Sequence, residues 1–234
     1  MTELGGLIET DRLATLSING SDSLFWDGVA GLYTTVIIWI PLAITAIYIL
    51  INNIPPKKLL LVLLMLVVTI VLCDQLSSSV FKPLVHRLRP TRDPYILDMI
   101  DTVNGYRGGL YGFFSGHAAN SFGIVTFFIW LVRDKWFSIS VLIWATANSL
   151  IRTYLGVHFL GDIIVGAIVG VLIGSLSYWI YYLIANRDKG LSYKKRYSSI
   201  LHTESGFMRR DVFLFLGVLF GTYSVILIGG CWVN

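Results

Sequence analysis

The chain has 234 residues, of which 55% are hydrophobic and 14% charged, and its formal net charge is +4 at pH 7. Ordinary soluble domains carry roughly 25% charged residues. With fewer charged residues and a mean hydropathy of +0.71, this chain has too few polar side chains to cover the surface of a water-soluble protein. The composition excludes an ordinary soluble protein and predicts one all-α integral membrane domain. We expect no nucleic-acid partner, and the sequence does not lead us to infer an obligatory protein partner. Cys73 and Cys231 lie in apolar runs, which does not indicate a disulfide framework.

The first 30 residues mix apolar and polar side chains and are too polar to span a bilayer. We expect residues 1–30 to form an interfacial segment, with a short helix, a turn at Asn19–Gly20, and Phe25 and Trp26 near the lipid headgroups. No basic segment followed by an apolar core opens the chain, so no cleavable signal peptide is expected.

Residues 31–234 contain six apolar stretches that approach the roughly 20 residues needed to cross a membrane. We therefore predict a six-helix membrane domain, with Pro41 kinking its first span. The predicted spans are about 31–51, 59–80, 116–132, 137–155, 159–184 and 212–233.

The connections between these spans differ in basic residues, which predicts orientation. Eleven of the eighteen Lys and Arg residues fall on one side, which should be cytoplasmic: Lys57, Lys58, Arg133, Lys135, Arg187, Lys189, Lys194, Lys195, Arg196, Arg209 and Arg210. Both termini and the polar 81–115 loop then face outside. The seven basic residues that oppose this bias need another explanation: Arg12, Lys82, Arg87, Arg89, Arg92, Arg107 and Arg152.

The stretch "SLIRTYLGVHFLGDIIVG", residues 149–166, holds three polar residues in an apolar context. His158 and Asp162 are four apart, which places them on one helical face within hydrogen-bond reach. Asp162 can orient one imidazole nitrogen and leave the other as a base or nucleophile. Arg152 precedes them across Gly156, a helix breaker. A structural Asp–His pair beside a snorkelling arginine explains this stretch equally well when it is taken alone.

Two further motifs carry polar residues at span ends. In "VFKPLVHRLRP", Lys82 and Arg89 are either headgroup contacts or an anion clamp, since arginine binds phosphate in a bidentate fashion. In "FFSGHAAN", Ser115 can cap a helix and Gly116 permits close approach of a ligand. His117 would then lie beside an anion held at a helix N-terminus, or else be an ordinary surface histidine at a helix start.

The charge pattern brings all three motifs to the same membrane face. Together they supply three cations, a helix N-terminus, two histidines and one carboxylate, without a Cys/His or carboxylate cluster suited to a metal. This set favours metal-free, cofactor-free phosphoryl transfer. One histidine would attack phosphorus and the other would protonate the leaving oxygen.

The order and spacing of the motifs resemble the signature of the type 2 phosphatidic acid phosphatase superfamily: Lys82, six residues, Arg89-Pro90; Ser115-Gly116-His117; Arg152, five residues, His158, three residues, Asp162. The resemblance covers about residues 31–184. It implies a six-helix membrane bundle with its active site at the outer face.

The resemblance also implies a role for each matching residue. His158 would be the nucleophile that forms a phosphohistidine, Asp162 would orient it, and His117 would be the general acid. The residues implied to hold the phosphate are Lys82, Arg89, Ser115, Gly116 and Arg152. Phe114 and Ile151 depart from the family's usual proline and serine, and we expect Phe114 to affect substrate fit more than proton transfer.

Several polar residues lie outside the signature. Asp74 could pair with a cation of the catalytic side, and a packing hydrogen bond with a neighbouring Ser or Thr is favoured. For His86 and Arg87 we expect contact with headgroups or substrate. Arg92 and Arg107 could contact a second phosphate or a sugar, and solvated loop charges are favoured. His202 falls on the cytoplasmic side, away from the chemistry.

The sequence therefore predicts a lipid phosphatase of a bacterial inner membrane, with its active site facing the periplasm and the bilayer itself as its environment. Its substrate would be a lipid phosphate: lipid A is slightly favoured over undecaprenyl diphosphate and phosphatidylglycerophosphate. Phosphate transfer to another lipid is also open. A vanadate-dependent haloperoxidase and a non-catalytic transporter or scaffold are the alternatives from other classes.

Overall fold

A computed structural model describes residues 3–20, 23–187 and 200–232. Its elements are helical, which confirms the all-α prediction: α1 Glu3–Ile18, α2 Leu24–Tyr33, α3 Ile40–Asn53, α4 Pro56–Gln75, α5 Lys82–Val85, α6 Gly116–Val132, α7 Lys135–Tyr154, α8 Leu160–Ala185 and α9 Arg209–Gly230. Short 3-10 turns occur at Val36–Trp39, Pro90–Arg92 and Val103–Gly105. Of the predicted cytoplasmic cations, Lys189, Lys194, Lys195 and Arg196 lie outside the described residues.

Four helical rods in the described part of the chain are long and apolar enough to cross a membrane: Val36–Asn53, Pro56–Val85, Leu160–Ala185 and Arg209–Gly230. The chain is thus a multi-pass membrane protein. Helix α6 is apolar but has 17 residues, and α7 has 20 residues but carries Asn148 and Arg152. Six helices occupy the predicted span positions, and the full count of six crossings stays a prediction.

The predicted first span, 31–51, is not one helix. Helix α2 ends at Tyr33, and the hydroxyl groups of Thr34 and Thr35 each donate to the carbonyl of Gly31, at 2.9 and 3.0 Å. Such bonds compete with continuation of the helix. The expected kink at Pro41 is also wrong, since Pro41 lies in the first turn of α3, where its missing N–H costs nothing.

The second span is longer than predicted. A π-helical turn, Leu76–Phe81, joins α4 to α5, so the rod extends to Val85 instead of ending at residue 80. π-Helical turns are rare and frequently lie near functional sites. This turn places Lys82 on the last helical turn of the rod and not in the loop beyond it.

Helices α6 and α8 pack closely through glycines at four-residue intervals. A Cβ atom on Gly170 or Gly174 would overlap the carbonyl oxygen of Ala119 or Gly123, and one on Gly166 would lie 2.5 Å from the Ser115 carbonyl oxygen. Small residues at this spacing let membrane helices approach backbone to backbone. The packing fixes the start of α6 relative to the start of α8.

The other end of the bundle is closed by polar contacts between connections. The side chain of Asn53 accepts from the Met208 N–H at 2.7 Å and donates to Asp211 at 2.8 Å. Ser205 donates to the carbonyl of Val132 at 2.6 Å. These contacts hold the ends of α3 and α6 beside the start of α9, opposite the end where α6 and α8 begin.

Candidate active site

The three motifs of the sequence meet in one polar cavity of about 150 Å³. Six of the eight predicted site residues line it: Lys82, Arg89, Gly116, His117, Arg152 and His158. Four other residues complete the lining: Asp74, Tyr106, Asn120 and Val157. The lining thus comes from α4, α5, α6, the end of α7, the turn between α7 and α8, and the 81–115 loop, which meet only in the folded chain.

Three cations converge on this cavity without a matching number of anions. Arg89 is held by two carbonyl groups, with its Nε donating to Tyr111 at 3.2 Å and one terminal nitrogen donating to Val157 at 3.0 Å. The buried Nε of Arg152 has no hydrogen-bond partner among the described residues. Buried cations normally have a partner, so this cluster favours occupancy by an anion with several oxygens.

His158 and Asp162 lie side by side at the start of α8. Nδ1 of His158 is 3.4 Å from Oδ2 of Asp162, which also accepts from the Phe159 N–H at 3.1 Å. Because a carboxylate only accepts hydrogen bonds, this contact favours the proton on Nδ1 and leaves the lone pair on Nε2. His158 is 2% exposed and Asp162 is fully buried. Burial lowers the pKa of His158, partly opposed by Asp162, so the imidazole is neutral near pH 7.

The Ser-Gly-His motif starts α6, as predicted. Oγ of Ser115 accepts from the Ala118 N–H at 3.4 Å, and the Ser115 N–H donates to the Asp162 carbonyl at 3.0 Å. Ser115 is fully buried and does not line the cavity, so its hydroxyl serves here as a helix cap. Its expected contact with phosphate stays a prediction. Gly116 and His117 present the first turn of α6 to the cavity.

Arg87 lies in a different place from the one expected. Its two terminal nitrogens donate to Oδ1 of Asp162 at 2.9 Å and to Oδ2 of Asp11 at 2.6 Å. The prediction of a headgroup or substrate contact is therefore replaced by a bridge between α1 and the carboxylate behind His158. This bridge could not be predicted from neighbouring residues in the sequence, because Asp11 lies 76 residues from Arg87.

Other residues outside the signature also surround the site. Asp74 lines the cavity together with the three cations. The Ser78 hydroxyl donates to the Asp74 backbone carbonyl at 2.7 Å and lies 3.5 Å from its carboxylate, so the expected packing role of this side chain stays a prediction. A Cβ on Gly112 would lie 2.8 Å from Oδ2 of Asp162, so the loop reaches this close to the pair only through a glycine. Arg92 and Arg107 are exposed, in line with solvated charges.

The cavity has the chemistry of an anion site beside two histidines. Three cations and the first turn of α6 can neutralise phosphate oxygens, and a neutral, carboxylate-oriented imidazole can attack phosphorus. Within residues 3–20, 23–187 and 200–232, no group of three or more His, Cys, Asp or Glu side chains is placed to hold a metal ion.

Residues 57–185 match the model of the PAP2 superfamily. The chain belongs to this superfamily. Two lipid A 4′-phosphatases are similar over most of their length. The protein of Bacteroides thetaiotaomicron is 41% identical over 182 residues, 77% of this chain and 79% of the relative. That of Porphyromonas gingivalis is 34% identical over 188 residues, 80% of this chain and 79% of the relative.

Two further PAP2-type comparisons are more limited. The lipid A 1-phosphatase of Porphyromonas gingivalis is 35% identical over 82 residues, 34% of this chain. The crystal structure of a transmembrane PAP2 type phosphatidylglycerolphosphate phosphatase from Bacillus subtilis has a TM-score of 0.53 at 19% identity, over 82% of this chain and 90% of that one. The latter likeness supports the fold alone. The family predicted from the three motifs is confirmed.

Proposed function

We propose that this protein, a membrane lipid phosphatase of the PAP2 type, hydrolyses the 4′-phosphate of lipid A through a phosphohistidine on His158, without a metal. The main observation behind this proposal is that three cations and two histidines line one cavity near the starts of α6 and α8. The choice of lipid rests on similarity to two lipid A 4′-phosphatases over more than three quarters of this chain.

In the first step Nε2 of His158 attacks the phosphorus, and the bond between phosphorus and the sugar oxygen breaks. His117 gives its proton to that oxygen, so the sugar leaves as an alcohol. Lys82, Arg89, Arg152 and the first turn of α6 neutralise charge on the phosphoryl oxygens as it develops. Asp162 holds Nδ1–H and stabilises the positive ring.

In the second step water attacks the phosphohistidine and releases inorganic phosphate. His117, now neutral, takes a proton from the attacking water, and the phosphorus–nitrogen bond breaks to return the electron pair to Nε2. The two histidines end in their starting states. The same residues would therefore act in both halves of the reaction.

The proposed place of this chemistry is the periplasmic face of a bacterial inner membrane. The described basic residues of the cytoplasmic set lie at the end of the bundle where α4, α7 and α9 begin, including Lys57, Lys135 and Arg209. The cavity lies at the other end. Under the positive-inside rule the cavity faces outward, with the acyl chains of the substrate in the bilayer and its headgroup in the polar loop region.

The test is phosphate release by purified protein in detergent and EDTA, with lipid A, undecaprenyl diphosphate and phosphatidylglycerophosphate compared. His158→Ala is the inactive control. His202→Ala is the matched control, since His202 belongs to the connection before α9 and not to the cavity. We expect release from lipid A, with loss of the 4′-phosphate by mass spectrometry, in wild type and His202→Ala only.

Preference for another lipid would overturn the proposed substrate and leave the reaction in place. Release that requires a divalent metal, or that survives in folded His158→Ala, would overturn the mechanism.

A further inference from the structure

We propose that the N-terminal helix α1 belongs to the catalytic apparatus, because Asp11 and Arg87 act as positioning residues for the Asp162–His158 pair. The inference rests on the proposed function for its kinetic consequences. Neither Asp11 nor Arg87 is one of the signature residues, and neither lines the cavity. The juxtaposition that carries the inference is Asp11 to Arg87 to Asp162, three charged side chains in direct contact.

The contacts form a chain of short hydrogen bonds. The Arg87 guanidinium uses one nitrogen for Asp162 at 2.9 Å and the other for Asp11 at 2.6 Å. The same guanidinium lies over the ring of Phe159, 4.1 Å from its centroid. Arg87 is thus fixed on three sides. Since each Asp162 oxygen has a donor, rotation of its carboxylate away from His158 breaks at least one bond.

Asp11 is tied to α8 as well as to Arg87. Its Oδ1 accepts from the Gly161 N–H at 2.8 Å, and the neighbouring Thr15 Oγ1 accepts from the Leu160 N–H at 3.1 Å. These are first-turn N–H groups of α8, which have no partner inside the helix. Helix α1 thus caps α8 two residues after His158. A Cβ on Gly161 would lie 2.7 Å from Oδ2 of Asp11, so a glycine is needed for this approach.

A separate contact anchors α1 to the loop. Arg12 donates to both oxygens of Asp93, at 3.0–3.2 Å, and stacks 4.3 Å from the Tyr95 ring centroid. This pair holds the same helix to the same loop but touches neither Asp162 nor His158. It therefore supplies a matched control for the docking of α1.

The charges around His158 predict opposite pH effects for the two positioning residues. His158 contacts Asp162 on α8, whose other oxygen accepts from Arg87 of the loop. The titratable and charged groups that share the cavity with His158 are Asp74, Lys82, Arg89, Tyr106, His117 and Arg152. Arg87→Gln removes a cation that offsets Asp162, so protonation of His158 becomes easier. Asp11→Asn leaves Arg87 to offset Asp162 alone, so protonation becomes harder. A structural role alone predicts no such reversal.

The experiment combines two readouts on intact protein in detergent. The first is the pH profile of kcat/KM and the separate values of kcat and KM on lipid A. The second is a substrate-free ¹⁵N NMR titration of the His158 imidazole, assigned against His158→Ala, which is practicable with four histidines in the chain. The variants are Asp11→Asn, Arg87→Gln, the charge-conserving Arg87→Lys, and Arg12→Gln as the docking control.

We expect kcat to fall about tenfold or more in Asp11→Asn and Arg87→Gln with KM little changed, since small misplacement of a reacting group is costly. The pH of the acid limb of kcat/KM and the pH midpoint of the His158 NMR titration both rise in Arg87→Gln and both fall in Asp11→Asn. Arg87→Lys keeps the acid limb and the NMR midpoint near their wild-type pH but recovers kcat only in part. A single ammonium group replaces a guanidinium that donates to two carboxylates at once. Arg12→Gln lowers thermal stability and leaves the limb in place.

The inference would be overturned if the acid limb and NMR midpoint moved in the same direction in Arg87→Gln and Asp11→Asn, or did not move. It would also be overturned if Arg12→Gln showed the same changes as Asp11→Asn. If wild type releases no phosphate from lipid A while the NMR midpoints still move in opposite directions, the proposed substrate fails and the positioning role stands.

Discussion

Nδ1 of His158 lies 3.4 Å from Oδ2 of Asp162, and the carbonyl of the same Asp162 accepts from the Ser115 N–H at 3.0 Å. One residue therefore orients the candidate nucleophile with its side chain and holds the Ser-Gly-His motif with its backbone. The second and third motifs are joined covalently only through α6 and α7, yet they meet here at hydrogen-bond distance.

Asp162→Asn tests the side-chain half of this relationship. An amide in this place leaves the backbone contact with Ser115 but favours the wrong imidazole tautomer. We expect kcat to fall roughly 10³- to 10⁴-fold, the scale seen when a triad aspartate is changed to asparagine. Asp98→Asn, on an exposed position of the neighbouring loop, is the control. Equal activity of both variants would contradict the orienting role.

The acid limb of activity follows from the pKa of His158. Burial lowers this pKa from its ordinary value of 6.5, and Arg89 and Lys82 add to the effect. Nucleophilic attack needs neutral His158, so the acid limb of kcat/KM should lie below pH 6.5, after correction for the substrate phosphate, which titrates near pH 6. Loss of the His117 proton would give a separate limb on the alkaline side. The unfolded chain binds this proton more readily than the folded one, so the free energy of unfolding should also fall below pH 6.5. A limb above pH 6.5 that His158 controls would contradict this account.

Arg152 offers a substrate-free test of phosphate binding. Its Nε is buried without a partner in the described chain, so inorganic phosphate should supply one. We expect phosphate to raise the Tm of wild type and to do so less in Arg152→Gln, because a ligand stabilises by about 2.7 kcal/mol at 100 times its Kd. Thermal scans at constant ionic strength, with chloride replacing phosphate, measure the difference.

Arg107→Gln removes one exposed charge from the same loop and should respond to phosphate as wild type does. An equal loss of response in Arg107→Gln would mean that general surface charge, and not the cavity, binds the anion.

Gly170→Ala tests the close packing of α6 on α8. Its Cβ would overlap the Ala119 carbonyl, which should force the helices apart and cost about 1–3 kcal/mol, as overpacking does. Activity should fall with stability, since the helix starts carry His117 and His158. Gly221→Ala on α9, where a Cβ meets nothing within 4 Å, should be neutral or slightly stabilising. Thermal unfolding and phosphate release on both variants decide the point.

Spacing within the chain predicted the cavity better than it predicted the helices around it. His158 and Asp162 are four residues apart, and Arg89 follows the helical turn of Lys82 by seven residues, so local geometry already restricts where each can point. The break at Thr34–Thr35 could not be foreseen, because the surrounding residues are apolar on both sides. The hydroxyl bonds that end α2 depend on side-chain choices that hydropathy does not register.

Long-range ion pairs account for most of what the sequence concealed. Arg87 sits beside His86 and Arg89 in a basic stretch, where a headgroup contact is the natural expectation. Its partners are Asp11 and Asp162, 76 and 75 residues away. No local periodicity encodes such a pairing, which needs the docking of α1 across the start of α8.

Trapping of the intermediate tests the central claim most directly. Wild-type protein is mixed with lipid A labelled with ³²P at the 4′-phosphate, in EDTA, and quenched in alkali within the first turnover. We predict an acid-labile, alkali-stable phosphoryl group on the peptide that contains His158, absent from His158→Ala. Phosphate release at the full wild-type rate with no labelled protein, or label on a peptide without His158, would contradict the account.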